Sequence, residues 1–231
     1  MSTISAKVSR YFTRDFDELQ LLQSSKKPLD TFVSSTVKKV ERITLAELEE
    51  ARPNFGILSK NLTKEGLENT RWIVSPLEGR DNFQHAIPLF TFSIAVESLN
   101  IRGEKEVTAG VVFAPALNIL YFAEKGQGAW QEINGQSTHR TRISARKAKD
   151  AIVFTNHDTT DFSSAQIRKI GCDSLSLAYL ASGKADCCIL KNSHYTDIAA
   201  GLVLIREAGG VINELSINKN HVVTELNASN L

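Results

Sequence analysis

Cysteine is scarce in this chain: Cys172, Cys187 and Cys188 are the only three, and two of them are adjacent. Adjacent cysteines make poor disulfide partners. An odd count without C-x-x-C spacing argues against both a disulfide framework and a cysteine-rich zinc site. An excess of charge of either sign is also lacking. The formal net charge is +1, so no global field draws the protein towards nucleic acid or an anionic membrane. Long apolar runs are missing too: the most apolar stretch, around 109–123, is broken by Pro115 and Asn118 and is too polar to span a bilayer. The opening MSTISAKVSRYF has no apolar secretion segment. Asn61-Leu62-Thr63 and Asn227-Ala228-Ser229 are therefore read as chance glycosylation matches, and a cytoplasmic location is expected.

What is present is globular: 42% hydrophobic and 23% charged residues over 231 positions. That length buries a substantial core as one large domain or two small ones. Apolar positions at helical spacing predict helices over 5–24 and from Ser35 to just before Pro53, with SSKKPLD as the loop between them. Residues 54–71 are polar and carry no clear period. Alternating runs at 72–74, 91–97, 106–113 and 118–123 predict an antiparallel meander. EKGQGAW reads as a hairpin turn, and the basic stretch 131–150 (Arg140, Arg142, Arg146, Lys147, Lys149) as a solvated connection. Strands are expected at 151–155, 185–190 and 210–212, with helices at 174–183 and 197–210. SGKA lacks the remaining residues of a phosphate-binding loop and reads as a helix C-cap. The chain divides into an N-terminal α+β half, 1–145, and a C-terminal α/β half, 146–231.

Two motifs carry chemistry. Trp72-Ile73-Val74-Ser75-Pro76-Leu77-Glu78-Gly79-Arg80-Asp81-Asn82-Phe83, with Pro88 following, resembles W-I-x-D-P-[IL]-D-G-T-x-N-F of the inositol monophosphatase superfamily, particularly its bacterial branch. Thr196-Asp197-Ile198-Ala199-Ala200-Gly201 with Glu207-Ala208-Gly209-Gly210 resembles its W-D-x-A-A-G … E-A-G-G. The resemblance runs from about residue 5 onward. It implies an αβαβα layered sandwich of the inositol monophosphatase and fructose-bisphosphatase type, usually a homodimer. It also implies Mg²⁺-dependent hydrolysis of a small phosphate monoester. Mg²⁺ needs a near-octahedral set of hard oxygen ligands, and paired ions clamp the phosphate and activate water.

Carried over position by position, the resemblance puts Lys60 where a ligand glutamate stands, Ser75 at the first aspartate, Glu78 at the second and Arg80 at the threonine that helps polarise water. Val37 and Leu190 fall where two further acids stand. The residual metal set is Glu78, the Leu77 carbonyl and Asp197. Gly79, Arg80 and the segment Gly171-Cys172-Asp173 are the expected ligand-binding positions. Like charges ~4 Å apart repel by about 4 kcal/mol per unit product at an effective dielectric of about 20, so Lys60 opposes a divalent ion. It is expected instead to neutralise Glu78 and Asp197, while Arg80 offers a fork to an oxyanion. Cys172 is expected to be mildly activated at a helix start. Plainer roles exist as well: Asp197 as a helix N-cap, Glu78 as a solvated turn residue and His194 as a loop hydrogen-bonder.

The expected function is thus a catalytically impaired family member acting as a binding or regulatory protein. Its expected partners are a second copy, a small anionic ligand, or a regulatory transcription or RNA complex, with no membrane. The alternative is a slow Mg²⁺-dependent phosphomonoesterase acting on inositol phosphate or a similar small ester. A third possibility is a different activity built on Lys60, Arg80 or His194.

Overall fold

The computed structural model describes residues 1–25, 28–146, 151–159 and 165–230. Lys26, Lys27, Lys147 and Lys149 of the two expected connections lie outside the described residues. Helix α1 (Ser2–Leu22) buries Ile4, Val8, Phe12, Phe16 and Leu19 on one face, the three-to-four spacing of an amphipathic helix. Helix α2 (Leu29–Ala51) starts six residues earlier than its apolar period suggested. Pro28 precedes it at φ −72°, and Asp30 sits in its first turn, where a carboxylate favours the positive end of the helix dipole. A proline read as loop material is here the residue that sets the helix entry.

The first sheet contains β1 (Gly56–Leu58), β2 (Thr63–Lys64), β3 (Thr70–Glu78), β4 (Thr91–Leu99), β5 (Lys105–Ala114), β6 (Ile119–Glu124), β7 (Gly128–Ile133) and β8 (Ser137–Thr141). Its order is β2-β1-β3-β4-β5-β6-β7-β8. All neighbours are antiparallel except β1 and β3, which run parallel. The predicted meander is therefore present and extends in both directions. The stretch 54–71 supplies β1 and β2, and the basic stretch read as a solvated connection supplies the end of β7 and all of β8. Most of β8 is exposed, which is why its sequence shows no apolar alternation. A five-residue helix, α3 (Arg80–Gln84), follows β3. Its Phe83 packs on Phe90 with ring centroids 4.7 Å apart, and on Phe12 and Phe16 of α1.

The second sheet holds β9 (Ile152–Thr155), β10 (Gln166–Arg168), β11 (Cys187–Leu190), β12 (Ser193–His194), β13 (Val211–Ile217) and β14 (Val222–Ser229). β9 runs parallel to β10 and β11. β14 lies antiparallel to β11 and β12 on one side and to β13 on the other. Helices α4 (Asp173–Ala181) and α5 (Tyr195–Glu207) pack between the sheets. Their contact is close: a Cβ on Gly110 of β5 would lie 2.9 Å from the Ala200 Cα. One buried cluster joins β5 and β6 to α4, α5, β11 and β14, and a second joins α1 and α2 to the other face of the first sheet. The result is a mixed α/β fold of the αβαβα layered type, with two mixed sheets and, among the described residues, five α-helices.

Candidate active-site cleft

Four chain segments converge where β3 ends. They are the loop after β1, the β3–α3 junction, the start of α4 and the first turn of α5. Strand β3 runs on through Glu78, with its ladder to β4 interrupted between Ser75 and Glu78. Pro76 has no N–H to offer there, so the irregularity falls at the residue least able to keep the ladder. It takes Leu77 out of the regular pairing while its side chain stays buried.

The loop after β1 is fastened to α2. Ser59 Oγ donates to Glu41 Oε1 at 2.8 Å, and the Leu62 N–H donates to Ser59 Oγ. This loop presents Lys60, whose Nζ lies 2.7 Å from Asp197 Oδ2. Ser75, fully buried, donates its hydroxyl to Asp197 Oδ1 at 2.6 Å. Both oxygens of Asp197 are therefore engaged. Asp197 is not the N-cap of α5: His194 is, its Nδ1 accepting the Thr196 N–H. The cap being met by imidazole, the Asp197 carboxylate is left to face the cleft. Burial lowers the His194 pKa, with Asp197 opposing.

The expected shared neutralisation is corrected: Lys60 pairs with Asp197, and among the described residues it forms no ion pair with Glu78, whose oxygens are held by the start of α4. Glu78 Oε1 accepts the Asp173 N–H at 2.9 Å, and Oε2 accepts the Ser174 hydroxyl at 2.9 Å and its N–H at 3.3 Å, with the Cys172 thiol also in contact. Burial, reinforced by Asp197 and Asp173, pushes its pKa up to about 8 against those donors. It is a buried acid rather than a solvated turn residue. Cys172 stands at the N-cap position of α4 without a side-chain capping bond, and burial and the neighbouring Glu78 raise its pKa well above the ordinary thiol range. The expected activation does not occur, because desolvation outweighs the helix start.

Arg80 is also elsewhere. Its Nη2 donates to Asp30 Oδ1 at 2.8 Å and to Ser34 Oγ at 2.8 Å, which ties α3 to α2 and removes the expected oxyanion fork from the cleft. Gly79 has φ +77°, and a Cβ there would lie 2.8 Å from the Leu89 oxygen and 3.2 Å from the Cys172 Cβ. The turn and the Gly171-Cys172-Asp173 segment thus meet at a point where only glycine fits. Asn82 fastens the same junction, donating to the Leu89 and Ile170 carbonyls. Asp173 accepts from Asn156 at 3.1 Å and Ser193 at 2.5 Å, and burial raises its pKa. Val37 packs against the α1/α2 core and Leu190 is fully buried, so two positions aligned with acids have become core.

Thr91, whose hydroxyl meets that of Ser174, and Ser174, Ser193 and Asn156 themselves escaped the sequence reading. They are short polar residues that act through long-range contacts, and only Ser174, in the first turn after Cys172, carried a local helix-start signal. Among the described residues, no three His, Cys, Asp or Glu side chains form a group able to hold a metal. An ammonium and a hydroxyl donor occupy Asp197, and amide and hydroxyl donors occupy Glu78. Mg²⁺ requires acceptor oxygens converging on one point, and in this arrangement the oxygens of Asp197 and Glu78 are met by these donors.

The fold and the position of the cleft place the chain among the layered α/β proteins of the inositol monophosphatase and fructose-bisphosphatase type. More narrowly, it belongs to the inositol monophosphatase family, whose sequence model matches residues 2–228. It is 40% identical over 224 residues to an inositol-1-monophosphatase of Rhizobium meliloti, covering 88% of this chain and 80% of the relative. It is 28% identical over 236 residues to the Nus factor SuhB of Escherichia coli, covering 94% and 85%. The crystal structure of the extragenic suppressor protein suhB from Bartonella henselae superposes with a TM-score of 0.79 at 32% identity, covering all of this chain and 92% of that one. No helix among the described residues is long and apolar enough to cross a membrane.

Proposed function

We propose that this protein is a family member in which metal-dependent phosphate ester hydrolysis is impaired and which acts as a binding or regulatory protein. One observation carries the reading: Lys60 Nζ and Ser75 Oγ take the two oxygens of Asp197, at 2.7 and 2.6 Å. An ion entering there displaces an ammonium and turns a buried hydroxyl, against like-charge repulsion. The loss of Mg²⁺ ligands at Lys60 and Ser75 is the defining change. Lys60, 41% exposed, is the cation left to meet a small anionic ligand in the cleft, beside Gly79, Gly171 and Asp173. A homodimer belongs to the same proposal. The Nus-factor name of the Escherichia coli relative makes a transcription or RNA complex the first macromolecular partner to test.

A second reading keeps slow Mg²⁺-dependent hydrolysis of inositol phosphate or a similar monoester. It rests on the two surviving carboxylates, Glu78 and Asp197, on the partial exposure of Lys60, and on the activity named for the Rhizobium meliloti relative. Titration calorimetry of Mg²⁺ and Mn²⁺ into chelator-treated protein, run beside a phosphate-release assay, separates the two. Impairment predicts no binding by the natural chain and restored binding by the Lys60→Glu/Ser75→Asp variant. Stoichiometric binding with turnover by the natural chain establishes the phosphatase reading.

A further inference from the structure

A second polar centre lies away from the cleft, on the same strands. Arg71 sits on β3 four positions before Ser75 and is paired across the ladder with Glu97 of β4. Arg71 Nε lies 2.6 Å from Glu97 Oε2, and the Tyr195 hydroxyl donates to Glu97 Oε1 at 2.7 Å. The Glu97 side chain is only 4% exposed. These three residues form the floor of a cavity of about 280 Å³, whose mouth carries Lys105, Arg206 and His221. Its remaining wall is apolar, from Val107, Leu202 and Leu215.

The charges do not balance. Arg71, Lys105 and Arg206 are cationic and Glu97 is the one carboxylate lining the cavity, so with His221 neutral the lining carries two excess positive charges. Glu97 is fully committed to Arg71 and Tyr195. Among the described residues, neither Lys105 nor Arg206 forms an ion pair. His221 projects from the β13–β14 turn with φ +58°, a conformation few non-glycine residues adopt and one that persists where surrounding structure imposes it. Its carbonyl accepts the Tyr195 N–H at 2.8 Å, which fastens this turn to the start of α5, and His221 lines the cavity there. A concave site with an apolar wall and convergent cations is built for a compact organic anion.

We propose that this cavity is a binding site for a small phosphorylated ligand, its dianionic phosphate between Lys105 and Arg206 and its organic body against Leu202 and Leu215. The site is separate from the cleft and independent of how the cleft is read. The floor pair holds Arg71 in place, and the mouth cations take the charge of the ligand.

The test is titration calorimetry in the presence of chelator, with 1-naphthyl phosphate, inorganic phosphate and 2-naphthol as probes. It uses the natural chain, Lys105→Ala/Arg206→Ala and Lys60→Ala. Charged hydrogen bonds predict that the double variant weakens 1-naphthyl phosphate binding by at least about tenfold. Lys60→Ala removes any cleft component and should leave the binding that depends on Lys105 and Arg206 in place, inorganic phosphate should bind more weakly, and 2-naphthol should not compete. Both altered residues are exposed at the mouth, so loss of fold does not obscure the result. Equal affinity in the double variant overturns the proposal, as does loss of binding on Lys60→Ala alone. Absence of binding by the natural chain, or binding of 2-naphthol as tight as the phosphate, overturns it as well.

Discussion

The cleft and the cavity are built from the same parts and end in opposite electrostatic states. Each has a buried carboxylate facing the β3–β4 pair, and α5 serves both from its first turn, Asp197 to the cleft and Tyr195 to the cavity. In the cleft the one cation is shared, since Lys60 already pairs with Asp197 and only its exposed side is open to a ligand, while Arg80 is drawn off to Asp30. In the cavity one carboxylate is satisfied and two cations are left over. A single helix turn therefore separates a site whose one cation is matched by an acid from a site whose cations outnumber its acid.

The largest expected break in that comparison is at the cavity floor. Glu97→Ala leaves the Arg71 guanidinium, 17% exposed, without its partner; a stranded buried charge costs about 3–5 kcal/mol, read as a lower urea midpoint at unchanged slope. Next comes the neutral acid of the cleft. Glu78 is raised from its ordinary value of 4.5 to about 8 in the folded protein. Between those limits the folded state holds a proton that the unfolded chain has released, so its contribution to stability falls as pH rises. The slope is about 1.4 kcal/mol per pH unit in that window. Glu78→Gln should flatten it, leaving the variant and the natural chain alike near pH 4.5 and the variant the more stable at pH 8.5. Equal melting profiles across that range would refute a protonated Glu78.

The closing of the cleft is sharpened by Lys60→Ala. The lysine is 41% exposed and Asp197 keeps its bond from Ser75, so the expected loss is about 1 kcal/mol. Adding Ser75→Ala should cost more than the sum of the single changes, because Asp197 is then left with neither partner. The smallest effect is at Arg80→Ala, whose pair with Asp30 is exposed on both sides. A change within about 0.5 kcal/mol is expected, with no effect on anion binding in the cleft.

Strand β3, the meander and α5 were legible because their apolar periods coincide with buried faces. The cleft positions were legible only through the resemblance, which located Lys60, Ser75, Glu78 and Asp197 but not the direction each side chain takes. Arg80 could point to the turn or to α2, and the choice rests on Asp30 and Ser34, 50 and 46 residues away. Asp197 looked like a cap because aspartate favours that place; a histidine three residues earlier holds it. β8 was obscured because an exposed strand needs no apolar alternation. The cavity left no local sign at all, since its residues come from six separate segments of the chain.

The placement of β14 bears on how the protein is made. Residues 222–229 lie between β11 and β13, so the second sheet cannot close while they are still inside the ribosome. The first sheet is complete once residue 141 has emerged, yet α5, which covers one of its faces, begins only at residue 195. At ~5–20 residues per second, that face stays uncovered for several seconds of synthesis. The nascent chain in that interval presents a wide apolar surface, which is a substrate for chaperones and a point at which slowed translation would favour aggregation.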